Sequence, residues 1–68
     1  MNINKALELK KGDKVICPED RGEKGYCGKV KHISRNINKS YQGIDYIWVS
    51  VSHNNGNSVT VWPSHRIN

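Results

Sequence analysis

Five positive side chains, Lys24, Lys29, Lys31, Arg35 and Lys39, fall between residues 24 and 44, and no acidic residue interrupts them. Three of the six acids, Glu19, Asp20 and Glu23, lie just before that run. Lys29 and Lys31 are two residues apart, so on a strand they project from one face. A stripe of this kind contacts phosphates and releases their counterions. The bland alternative is a solvated basic surface of the sort many small domains carry. The aromatics supply a second kind of chemistry. There are five, Tyr26, Tyr41, Tyr46, Trp48 and Trp62, and no phenylalanine. Exposed rings beside cations stack bases or anchor a partner.

Other chemistry is weakly supported. Cys17, Cys27, His32, His53 and His65 contain no pair at the spacing of a zinc site, so no metal is expected. A cysteine beside His32 has the types of a nucleophile and base, but a thiol packed as a small hydrophobe is the simpler reading. Asp20 and Glu23 share a charged loop with no apolar residue to separate their pKa values. Gly22 and Gly25 precede no helix start and make no phosphate loop. No catalytic residue and no cofactor are expected.

Sixty-eight residues, 35% hydrophobic, make one small domain over residues 1–68, with 1–11 as a loose lead-in. No apolar run approaches a membrane span, and Lys5 is followed by no apolar signal core, so neither a membrane nor a secreted role is expected. Two cysteines are too few for a disulfide scaffold, which suits a cytoplasmic location. The net charge of +5 draws such a domain to nucleic acid or to an acidic protein.

The elements that must position these residues read as strands. Gly12-Asp13 is a turn, and residues 13–17 form a β-branched strand ended by Pro18. Residues 19–25 are a charged loop. Residues 26–34 form a second strand, with Gly28 marking a bulge or bend. Residues 35–43 are a polar loop. Residues 45–52 alternate clearly, with Ile47, Val49 and Val51 facing the core. Asn55-Gly56 marks a hairpin, and 58–62 returns with Val59 and Val61 inward and Thr60 and Trp62 outward. That reading places Trp48 and Trp62 on one outer face. Pro63 ends the strand, a 3₁₀ turn follows, and Ile67 starts a last short strand. No convincing helix is present. The expected fold is all-β, a small closed barrel of about five strands, because closure removes exposed edges.

Three stretches carry a family resemblance. Val61-Trp62-Pro63-Ser64-His65-Arg66-Ile67 resembles the end of SH3-like barrels, Gly12-Asp13-Lys14-Val15 their opening strand in bacterial, KOW-like and Tudor-like members, and Gly28-Lys29-Val30 their second strand. The resemblance spans about residues 9–68 and implies an SH3-like barrel, bacterial or phage in character. The groove aromatics of peptide-binding SH3 domains have no counterpart between Pro18 and Gly25. The same stretches, with Ser58-Val59-Thr60-Val61-Trp62-Pro63 and Arg66-Ile67-Asn68, are also similar to plasmid type II dihydrofolate reductases. That similarity implies an oligomeric reductase. However, the Val-Gln-Ile-Tyr stretch of the reductases is Val59-Thr60-Val61-Trp62 here, and Cys17 stands at their lysine.

The leading expectation is a non-enzymatic accessory or regulatory module that binds nucleic acid or its machinery. Lys29, Lys31, Arg35 and Lys39 would supply electrostatic affinity, and Tyr41, Trp62 and Arg66 stacking and shape. The alternative is a protein adaptor or inhibitor that uses Trp48, Trp62 and His65. A homo-oligomer is compatible with both.

Overall fold

The structure is a computed structural model describing all residues except Arg21, Glu23, Asn54 and Asn55. Parts of the expected charged loop and of the Asn55-Gly56 hairpin turn therefore lie outside the described residues. The chain runs α1 (Ile3–Ala6), β1 (Lys14–Cys17), β2 (Tyr26–Ile33), β3 (Asn38–Lys39), β4 (Asp45–Tyr46), β5 (Trp48–His53), β6 (Ser58–Pro63) and a 3₁₀ turn (Ser64–Arg66). The main sheet is antiparallel with order β1-β2-β5-β6, and β3 and β4 form a separate ribbon. No described helix is long and apolar enough to cross a membrane.

The all-β expectation holds, but the expected closed barrel does not form. The run 45–52 is split at Ile47 into β4 and β5, which belong to different sheets. Ile47 leaves both ladders because its backbone pairs elsewhere. Its N–H donates to the Ser64 Oγ (3.0 Å), and its carbonyl accepts from the Ser64 N–H (2.9 Å). Ser64 is fully buried, so these bonds satisfy groups that water cannot reach. The expected last strand is reduced to one residue pair, with Asn68 and Ile16 exchanging backbone bonds of 2.8 and 3.0 Å along the outer edge of β1.

The loop 35–43 is more ordered than its polarity implies, since Asn38 pairs with Tyr46 and Lys39 with Asp45. The lead-in contains one helical turn, α1, capped by the Asn2 side chain, which accepts from the Lys5 N–H (2.9 Å). The β2 bulge falls between Val30 and His32, not at Gly28. Gly28 answers a different need, because a Cβ there would collide with the Ser52 carbonyl and Val51 Cγ1 of the adjoining strand.

The core is a single layer: Ala6, Leu9, Val15, Cys17, Val30, Ile47, Val49, Val51, Trp62 and Ile67. Cα extents of 32 × 27 × 14 Å leave room for little more. β6 reverses the expected facing. Val59 and Val61 are about half exposed, while Trp62 is 7% exposed. The register explains the reversal. His53 pairs with Ser58, so Val49 faces Trp62, and Ser50 and Ser52 face Val61 and Val59. Directly opposed residues share a face. The buried partner of Val49 is therefore Trp62.

Candidate functional site

The outer face of the main sheet brings together the cations of β1 and β2. Lys14 and Lys29 are directly opposed across the β1–β2 ladder, and both are exposed. Like charges so placed repel and destabilise the pair. The bulge then leaves Lys31 and His32 both exposed, with His32 opposite Ser50. Lys29 and Lys31 line one open depression of about 470 Å³ with Cys27, Gly28, Ser52 and His53. Among the described residues, Lys14, Lys29 and Lys31 make no salt bridge.

The remaining residues expected to bind do not converge on this face. Arg35 reaches the N-terminal segment, where its guanidinium donates to the carbonyls of Leu7 (2.6 Å) and Leu9 (3.0 Å). It clamps the lead-in across the core edge. Lys39 pairs with Asp45 (3.3 Å) on the β3–β4 ribbon. Tyr41 is fully exposed in the turn of that ribbon and lines a second hollow with Lys39, Tyr46 and His65. Arg66 lies 5.5 Å over the Trp62 ring and pairs with Asp20 (3.7 Å).

The two tryptophans lie on opposite faces, so they do not form the shared outer patch expected of them. Trp62 is buried, and its Nε1–H donates to the Tyr26 hydroxyl (2.7 Å). Tyr26 also stacks on His53 at 4.5 Å, and the His53 Nε2 contacts the Thr60 hydroxyl (3.1 Å). Burial pushes the Tyr26 phenol above its ordinary pKa, partly offset by the Trp62 donor. Burial likewise raises the Cys17 thiol, which favours its protonated form. Trp48, by contrast, is 41% exposed. Its ring is held edge-on by Tyr46 (5.4 Å, 89°), and Tyr46 in turn packs on His65 at 5.0 Å. The His65 Nδ1 is buried without a hydrogen-bond partner among the described residues.

Sequence reasoning groups Lys29, Lys31 and His32 along the second strand and misses Lys14. Lys14 belongs to the face only through strand pairing, a long-range fact. His32 joins it only because the bulge interrupts the alternation. Among the described residues, no cluster of His, Cys, Asp and Glu is arranged to hold a metal ion. Comparison with known protein families, curated proteins and solved structures returns no match.

Proposed function

We propose that this protein is a small non-enzymatic module, SH3-like in plan, that binds nucleic acid through the outer face of its main sheet and serves as an accessory or regulatory component. One observation carries the reading: Lys14 stands directly opposite Lys29, with Lys31 beside them and no salt bridge among the described residues to relieve the repulsion. A folded domain gains nothing from that pairing by itself, whereas a polyanion laid over it turns the repulsion into attraction. The SH3-like reading is supported by the 3₁₀ turn after Pro63 and by the Asn68–Ile16 pairing along β1.

The test is an anisotropy titration of a labelled oligonucleotide at several salt concentrations. Affinity should fall steeply with salt, and replacing Lys29 and Lys31 by glutamine should flatten the log–log slope by roughly 0.7–0.9 per lysine removed. Absence of binding at low salt would falsify the reading. A protein partner is the second reading, favoured by the exposure of Trp48, Val59 and Val61. Recovery of one acidic protein without nucleic acid would support it.

A further inference from the structure

The outer face is graded from one side to the other. Strand pairing sets Lys14, Lys29, Ser52 and Val59 in one row across β1, β2, β5 and β6. The next row reads His32, Ser50 and Val61. Beyond it, Trp48 stands opposite Pro63. In the first row the order across the sheet is thus cation, hydroxyl, apolar group; in the second an imidazole stands in the cation's place, and at the other end of β1 and β2 the exposed Ile16 stands opposite Cys27. Val59 and Val61 are each about 55% exposed and Trp48 41%, so the apolar side is open. The β2 and β6 strands are two strand spacings apart, about 10 Å. From Ser52 to Trp48 along β5 is roughly 14 Å, four residues of extended chain.

A single nucleic-acid strand has the same transverse order: phosphate, sugar, base. We infer that this face takes single-stranded nucleic acid, with its backbone over β1 and β2, its bases over β5 and β6, and one base stacked on Trp48. The inference rests on the nucleic-acid reading above and adds the strandedness and the polarity of binding. A duplex fits poorly. It presents phosphates along both margins and hides its base faces, so its second backbone would lie on Val59, Val61 and Trp48. Desolvating phosphate against those side chains returns nothing. A strand with unstacked bases offers each side of the face what it can hold, and base–aromatic stacking tolerates any sequence. Trp48 is suited to this use. Its ring is oriented by Tyr46 at its edge, and Tyr46 also lines the hollow that holds Tyr41 and Lys39, where the strand can continue.

The experiment compares four labelled ligands with the full chain at low salt: a 12-nucleotide oligothymidylate, an oligouridylate of the same length, a 12-base-pair duplex, and an abasic 12-mer with the same backbone. At least one of the two base-bearing strands should bind more tightly than the duplex and the abasic strand, and should quench the emission of the exposed Trp48. Trp48→Ala should weaken that strand by about 5- to 100-fold, the worth of one stacked base, and leave the abasic strand unchanged. If Trp48→Ala loses its fold, Trp48→Phe should show a smaller loss confined to the base-bearing strand. Equal or tighter binding of the duplex would overturn the inference while leaving the nucleic-acid reading intact. So would an equal loss on the base-bearing and the abasic strand, or a stable dimer that buries Trp48 without any oligonucleotide. Failure of every ligand to bind would remove both.

Discussion

The two faces of the main sheet are made by the same four strands and use their side chains in opposite ways. On the inner face, Trp62 is buried, its N–H is taken by Tyr26, and Val49 stands opposite it. On the outer face, Trp48 is open two rows beyond Lys14 and Lys29, which make no salt bridge among the described residues. Inner groups are satisfied within the chain. Outer groups include a lysine pair that repels and an apolar strip that water covers. The contrast is between a face that satisfies its own groups and a face that leaves cations and apolar side chains exposed.

Substitution at the tryptophans gives the largest expected difference between the faces. Trp62→Ala removes a buried ring and the indole donor to the Tyr26 hydroxyl, and should cost about 3–5 kcal/mol, enough to unfold much of so small a domain. Trp48→Ala should stay within about 0.5–1.5 kcal/mol of the parent, since the ring packs edge-on against Tyr46 and is 41% exposed. Denaturant melts of both variants check this. Similar losses would break the distinction between the faces.

A smaller effect is expected at Gly28, where an added Cβ would run into the backbone and side chain of β5. Gly28→Ala should destabilise by about 1–3 kcal/mol through the collision of the new Cβ with Ser52 and Val51. It should also weaken oligonucleotide binding, because the same shift disturbs the rows of the outer face. A melt without loss of stability would show that the strands can part at no cost.

The smallest change in stability is expected from Lys14→Glu, and it sharpens the comparison most. Replacing a repelling cross-strand pair by an attracting one should raise stability by about 0.2–1 kcal/mol. The same change should lower affinity for a polyanion and reduce its salt dependence. Opposite signs in the melt and the titration would mark a face that holds its charges for a partner. A loss in the melt with unchanged binding would make Lys14 an ordinary solvated lysine.

Much of the strand plan was legible in the residues. The alternation of Ile47, Val49 and Val51 marks their core face, and Pro63 with Ser64 marks the 3₁₀ turn. Hydrophobicity alone orients β6 the wrong way, with Val59 and Val61 inward and Trp62 outward. Parity decides it. Centring a two-residue turn on Asn55-Gly56 pairs an odd-numbered residue with an even-numbered one throughout the hairpin, which places Trp62 opposite Val49. The observed His53–Ser58 register has that parity. The break at Ile47 had no local signal, since it arises from a buried serine seventeen residues away. Arg35 looks like a cation open to a ligand for a similar reason: its partners are backbone carbonyls more than twenty residues earlier, which no pattern of side chains reveals.

By itself, the sequence determined that this chain is a small all-β domain, basic over one continuous segment, with its strands near their observed positions. Those properties follow from composition and from short-range alternation. Tertiary structure alone decided which cations meet, which tryptophan is open, and that the sheet stays a four-stranded layer without closing. Strand register and backbone pairing across distant residues set these. A shift of one residue in register would exchange the two faces without changing a letter of the sequence.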